Sequence, residues 1–346
     1  MTEFDPPLRL HLSGDALAAN WRFLQGQGNA ACGAAVKANG YGLGAREVVT
    51  RLRDAGCRDF FVAHWTEAVA IADLVPPEWI CVLNGIGPAD IQLIRELGAI
   101  PVLNTPNQIA MWKAAGGGKC HVMLDTGINR LGVGPEQFSD GLMGGLDIDI
   151  LMSHLASADE DVAQNAGQLA LFRSLSTQCD AKRRSLANSA GIMLGADYHF
   201  DVTRPGIGLY GGIERAEMAC GISPVLHVAS CILQVRQIGA GDAVGYGATH
   251  ICKAPTVIAT AAMGYADGYL RSFAGQGTVY AGEVALPVIG RISMDLITID
   301  ASACPALSEG DWVTMPYDLP VLAAQSGLSQ YELITSLGQR SKRIWT

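Results

Sequence analysis

Residues 31–42 read ACGAAVKANGYG, and the fold is decided by what repeats around this run. Its first part, ACGAAVK (31–37), is a short apolar segment that ends on a lysine. Seven runs of the same kind follow: DFFVAH (59–64), WICVLNG (79–85), AIPVLNT (99–105), KCHVMLDTG (119–127), DIDILMSH (147–154), RRSLANS (183–189) and FDVTRPGIGLY (200–210). Each closes in a polar or glycine-rich turn. The intervals carry helical patterns, as in REVVTRLRDAG (46–56), ADIQLIRELG (89–98) and EDVAQNAGQLALFRSL (160–175). Eight strands alternating with helices predict an α/β fold, an eight-stranded TIM-like β/α barrel. An open doubly wound sheet has the same alternation, so alternation alone leaves both standing.

Polar residues bear on the choice. Lys37, Asn84, Asn104, Asp125, Arg130, His154, Ser189 and Arg204 all follow or terminate a strand. In a barrel those ends meet at one mouth, where active sites lie. Asn188-Ser189 and Arg204-Pro205-Gly206-Ile207 fall after the seventh and eighth strands, where small residues and backbone N–H groups suit a phosphate.

From about residue 221 the texture changes. PVLHVASCILQVRQI (224–238) alternates like a strand, and glycine turns then separate further extended runs such as EVALPVIGRISMDLITID (283–300). Two domains are expected: a barrel over 1–220 and a mostly β domain over 221–346. LRLHL (8–12) is also extended and suits a strand in either domain.

Hydrophobic residues make up 49% of the chain and charged residues 16%, which allows a large core. The spare apolar surface is either hidden in an oligomer or scattered. A net charge of -9 argues against a nucleic-acid surface. The one tight basic cluster, Lys182, Arg183 and Arg184, reads as a solvated face. The start MTEFDPPLRL is acidic where a signal peptide would be basic, and no apolar run is long enough to span a membrane. Nine cysteines form no CxxC pair, and an odd number cannot all pair internally. A reduced, cytoplasmic setting is expected, with Cys32, Cys57 and Cys81 as small core residues and no metal site.

Lys37 carries the sharpest chemical signal. A lysine ending an apolar strand either snorkels to the rim or must be paired, neutral or covalently used. A Schiff base with an aldehyde cofactor is the covalent use.

The string VKANGYGLG (36–44) resembles the pyridoxal-phosphate attachment motif of alanine racemases, and the resemblance covers nearly the whole chain. It continues in DTGINRLGVG (125–134), SHLASADE (153–160), ANSAGIMLG (187–195), RPGIGLYGG (204–212), VGYGATH (244–250), MGYADGYLR (263–271), VIGRISMDLITID (288–300) and YELITSLGQR (331–340). The resemblance implies a barrel followed by a β domain, a head-to-tail homodimer, and interconversion of L-alanine and D-alanine by two bases. It implies that Lys37 carries pyridoxal 5'-phosphate and acts on one face of the substrate α-carbon. Tyr265 matches the opposing acid/base, reaching across from the other subunit. Two groups on opposite faces are what inversion needs. His154 matches the histidine that contacts this tyrosine. Arg204 matches the arginine that donates to the cofactor's pyridine nitrogen. An arginine has no acceptor to offer, so that nitrogen stays an acceptor and draws less carbanion charge into the ring.

By the same resemblance Arg130, Met294 and Asp295 bind the substrate, and Tyr41, Ser189, Gly206, Ile207 and Tyr331 bind the phosphate. One position departs from the pattern. Many relatives carry a carbamylated lysine two residues before the DTG motif, and here that residue is Met123. A thioether cannot hold that charge, so Arg130 must be held otherwise, by Asp125, Asn129, an anion or water.

Three rivals stay open at this stage: the same chemistry on serine or lysine, amino-acid decarboxylation on a similar barrel, and a non-enzymatic pyridoxal-phosphate carrier. A carrier needs Lys37 but has no use for Tyr265. Either D-alanine supply for a cell wall or L-alanine catabolism would use the reversible reaction.

Overall fold

The computed structural model describes residues 5–138 and 140–346. The chain forms two compact units: Ala16–Ser223, and Pro224–Thr346 together with the described residues up to Asp15.

In the first unit, seven strands pair in parallel and in sequence order: Ala34–Ala35, Phe60–Val62, Ile80–Val82, Ile100–Leu103, Lys119–Met123, Asp147–Met152 and Arg183–Ser185. Phe60–Val62, Ile80–Val82 and Ile100–Leu103 are buried at every position. Burial on both faces is what a parallel sheet covered by helices requires, and it explains why these segments are continuous apolar runs. An eighth segment, Val202–Thr203, closes the ring. On one side Asp201 N–H donates to the Arg184 carbonyl at 3.0 Å and Arg204 N–H to Ala187 at 2.8 Å. On the other, the N–H groups of Ala31, Gly33 and Ala35 donate to the carbonyls of Asp201, Thr203 and Pro205, each at 2.9 Å. Closure decides for the barrel over the open sheet. Gly33 sits at the seam, where a Cβ would lie 2.7 Å from the Phe61 ring and 2.9 Å from the Asp59 carbonyl oxygen.

The lower rim corrects one expectation. Arg183 is not part of a solvated face. Its guanidinium forks onto Asp59 at 2.9 and 3.0 Å and also bonds Asp149, at 2.7 and 3.3 Å. Asp59 is buried, and the half-buried arginine turns its charge toward the strand starts. A run of three basic residues does not reveal which one points inward.

In the second unit, Leu226–Ile238 runs for 13 residues. One half pairs with Trp312–Pro316 and the other with Thr256–Ala261, with a register shift between Ile232 and Gln234. Thr278–Ala281, Val284–Ile289 and Ile297–Asp300 complete the circuit between those two partners. Leu8–Leu12 joins this unit, antiparallel to Leu226–Ile238 and parallel to Lys342–Trp345. The sequence division between 220 and 221 leaves that segment with the barrel. Leu8, Leu10 and Leu12 are buried while Arg9 and His11 are partly exposed, an alternation suited to a sheet with one covered face.

Candidate functional site

The first barrel strand ends in an unusual turn. Ala38, Asn39, Gly40 and Tyr41 have φ of 52°, 55°, 63° and 54°, so four consecutive residues adopt left-handed backbone directly after Lys37. Residues with a Cβ resist this by about 1–2 kcal/mol each, so neighbours must hold the turn. Gly40 N–H donates to the Val36 carbonyl, Gly42 N–H to Ala38, and Asn39 Oδ1 accepts from Ala45 N–H, each at 2.9 Å. The Glu67 carboxylate accepts Ala38 N–H at 2.6 Å. The turn leaves Lys37 at the strand end, partly buried, and brings the buried Tyr41 ring onto Tyr210 at 4.5 Å. Burial lowers the Lys37 pKa, the Arg130 charge lowers it further, and Glu67 opposes both.

His154 follows the sixth strand and has three cations around it. Burial, then Arg204, Arg130 and Lys37, hold its pKa down at about 3, so the imidazole is neutral at neutral pH. Arg204 is only 6% exposed. Its guanidinium donates to the Ser153 carbonyl at 2.6 Å and to the Ser185 hydroxyl. Burial lowers its pKa to about 10, which leaves it charged. No carboxylate among the described residues pairs with it, so the mouth holds a buried, uncompensated cation.

The seventh and eighth loops form a cradle. Ser189 Oγ accepts the N–H groups of Gly206 at 2.9 Å and Gly208 at 3.1 Å. A Cβ on Gly206 would lie 2.3 Å from the Tyr41 hydroxyl, so only glycine lets that phenol approach the backbone. Ile207 is buried and opens the turn Ile207–Tyr210. Tyr41, Ser189, Gly206 and Ile207 are thus brought together. Tyr331 lies on the helix Gln330–Thr335 of the other unit.

Asp125 answers part of the question raised by Met123. One carboxylate oxygen accepts the N–H groups of Gly127, Ile128 and Asn129 at 2.8, 3.0 and 3.1 Å, and the other accepts Arg130 N–H at 3.0 Å. It holds the backbone of Arg130, not the guanidinium. The Arg130 side chain is exposed and makes no ion pair among the described residues. Met123 itself is buried.

In the β-rich unit Tyr265, Met294 and Asp295 share one surface. Tyr265 N–H donates to the Ser293 carbonyl at 3.1 Å and Ala266 N–H to Met294 at 3.0 Å. Gly264 permits this, because a Cβ there would meet the Met294 carbonyl oxygen at 2.3 Å. Two residues not singled out from the sequence hold the arrangement. Arg340 forks onto Asp267 at 2.9 and 3.0 Å and reaches Asp295 at 2.7 Å, while Asp267 accepts Gly264 N–H at 3.0 Å. Both lie inside quoted motifs, MGYADGYLR and YELITSLGQR, but a charge pair 73 residues apart leaves no local signal. Tyr265 and Met294 are 39% and 53% exposed. A second tyrosine, Tyr246 of VGYGATH, stands out further at 72%. It is flanked by Gly245 and Gly247 in left-handed conformations (φ 75° and 73°) that pack against Arg291.

Fold and mouth together define a β/α-barrel protein whose strand ends gather a lysine of lowered pKa, a neutral histidine, a buried arginine and a cradle of small residues around Ser189 and Gly206. The chain belongs to the alanine racemase family. The model of the alanine racemase N-terminal domain matches residues 12–214, and that of the C-terminal domain matches residues 225–345. An alanine racemase of Jannaschia sp. (strain CCS1) is 42% identical over 96% of this chain and 96% of its own length. A relative described as "Alanine racemase, catabolic", from Agrobacterium fabrum, is also 42% identical, over 97% of this chain and 92% of its own. The crystal structure of alanine racemase from Bartonella henselae with covalently bound pyridoxal phosphate is 34% identical. It superposes with a TM-score of 0.90 over 98% of this chain and 99% of that one.

Proposed function

We propose that this chain interconverts L-alanine and D-alanine with pyridoxal 5'-phosphate held at the barrel mouth. The observation that carries the reading is the convergence of Lys37, Arg204 and the Ser189–Gly206 cradle on one set of strand ends. The residues fit the group. An amine of lowered pKa suits an aldehyde, the glycine-lined cradle suits a phosphate, and an arginine without a carboxylate partner suits a ring nitrogen acceptor. When bound, the cofactor withdraws electrons from the substrate's α-carbon and makes its proton labile.

Lys37 holds and returns a proton on one face of that carbon. A tyrosine of the β-rich unit does so on the other, contributed by a second copy in a head-to-tail homodimer. Tyr265 is the tyrosine that the sequence resemblance assigns. Its backbone is tied to residues 293 and 294, which supports a shared site with Met294 and Asp295. Tyr246 is a second reading, favoured by its greater exposure, since a group acting on another subunit must stand clear of its own. His154, kept neutral, can accept a hydrogen bond from a phenol and ease its proton exchange. The exposed Arg130 fork suits the substrate carboxylate, and Tyr41, Ile207 and Tyr331 complete the phosphate set. A cytoplasmic setting suits a chain whose cysteines form no disulfide among the described residues. Among the described residues no helix is long and apolar enough to cross a membrane. D-alanine supply for a cell wall and L-alanine breakdown both run on this reaction.

The test is incubation with L-alanine and the cofactor in deuterated water, with L-serine and L-lysine in parallel. D-alanine carrying α-deuterium is expected. Carbon dioxide release would identify a decarboxylase. Cofactor binding without label would identify a carrier, and label only in serine or lysine would move the substrate. Tyr265→Phe and Tyr246→Phe, assayed separately, identify the opposing base: the essential phenol is the one whose loss stops inversion.

A further inference from the structure

We propose that Glu67 is a positioning residue for Lys37: its carboxylate holds the left-handed turn that presents the lysine at the barrel mouth. The proposal rests on the reading of Lys37 as the residue that carries the cofactor.

Glu67 lies on the helix Trp65–Ile71, directly after the second barrel strand. Its two oxygens serve different elements. Oε2 accepts Ala63 N–H at 2.7 Å and His64 N–H at 3.3 Å, which caps its own helix and the end of its own strand. Oε1 reaches to the neighbouring strand end and accepts Ala38 N–H at 2.6 Å. Helix capping needs only the first oxygen. The second is spent on the residue that follows Lys37, where the left-handed run begins.

That position matters for two physical reasons. A run of left-handed L-residues persists only when its surroundings over-determine it, and a bond to a charged acceptor is among the stronger restraints available. The carboxylate is also the anion acting on the lysine. Lys37 faces the Arg130 cation and the neutral His154 imidazole across the mouth, and Glu67 opposes the downward pull that burial and Arg130 exert on its pKa. One side chain thus holds the turn that places the amine and offsets part of the lowering of its pKa.

Two variants separate these effects. Glu67→Gln keeps the reach but removes the charge and puts an amide NH2 where an acceptor stood. Glu67→Asp keeps the charge but is one methylene too short to serve both elements. Hydrogen exchange is measured on the full chain. The pH midpoint of Lys37 acetylation by acetic anhydride is measured after cofactor removal, by peptide mass spectrometry. In both variants the amides of residues 38–44 are expected to exchange roughly tenfold faster or more, the size of a lost charge-assisted bond. Strands Lys119–Met123 and Asp147–Met152 should stay protected. The acetylation midpoint is expected to fall in Glu67→Gln and to stay nearer wild type in Glu67→Asp. Unchanged exchange at 38–44 in both variants overturns the proposal, and so does a rise spread evenly over the barrel. Neither readout uses turnover. A wild-type chain that fails to racemise alanine while both readouts move sinks the functional reading alone. A racemase whose readouts stay still sinks only the role of Glu67.

Discussion

Met123 ends its strand buried and uncharged, and the loop beyond it depends on Asp125. Four backbone N–H groups converge on that one carboxylate, with Gly127 (φ 129°) and Asn129 (φ 54°) bending the chain around it. This is an Asx-type anchor, and it positions Arg130 through the main chain while leaving the guanidinium free to turn. Asp125→Ala should therefore act on substrate binding. KM for alanine is expected to rise about tenfold, the equivalent of roughly one lost charge-assisted bond, with a smaller change in kcat. Steady-state kinetics on the purified variant checks this, and a fall in kcat at constant KM would contradict it. Asp125 was legible as a strand-end polar residue. Its actual task was not, because a sequence does not state which oxygen meets which amide.

The barrel strands carry a second neutral histidine. His121 is fully buried on Lys119–Met123, where Nδ1 accepts the Ile150 N–H at 3.1 Å and Nε2 faces Cys81 Sγ at 3.1 Å. An acceptor at Nδ1 places the ring proton on Nε2, so protonation would evict the Ile150 bond. Burial is the main reason its pKa falls to about 3, the same value as His154. The sign follows. The unfolded chain binds protons near pH 6.5 and the folded chain near 3, so between those values stability is lost as pH falls. Each histidine should remove about 2 kcal/mol between pH 7 and pH 5. Urea denaturation across that range should show the decline, and His121→Asn should reduce the slope. A flat profile would mean that the strands accommodate the charged ring. Periodicity placed this strand from KCHVMLDTG alone. It gave no indication that its histidine serves as an acceptor for the neighbouring strand, because that bond spans 29 residues.

At the scale of the whole molecule the proposed site needs Lys37 from one copy and a tyrosine from another. Mixing two inactive variants tests this directly. Lys37→Ala and Tyr265→Phe, unfolded together and refolded at equal amounts, should regain about a quarter of wild-type activity. Half the dimers are then mixed, and one of the two sites in each keeps both groups. No recovery, with mixed dimers verified by mass, would mean that the base acts within its own subunit. If Tyr265→Phe is itself active, the base is a different residue and Tyr246→Phe takes its place in the mixture.

All eight barrel strands fall within runs read from the sequence. Phe60–Val62, Ile80–Val82 and Ile100–Leu103 were legible because a strand buried on both faces must be an apolar run. The polar Arg183–Ser185 was placed instead by the recurring strand-helix spacing. The long extended stretch after residue 221 and the lysine ending the first strand were legible for similar local reasons. Three things waited for the tertiary structure. Ring closure depends on hydrogen bonds between segments about 170 residues apart, which no local pattern contains. The inward turn of Arg183 depends on Asp59, 124 residues away. The left-handed turn after Lys37 depends on Glu67, a residue whose own neighbourhood reads as an ordinary helix start. Local sequence selects backbone and burial, because those follow from short-range sterics and the removal of apolar surface from water. Which charge meets which amide is settled only when distant strands lie side by side.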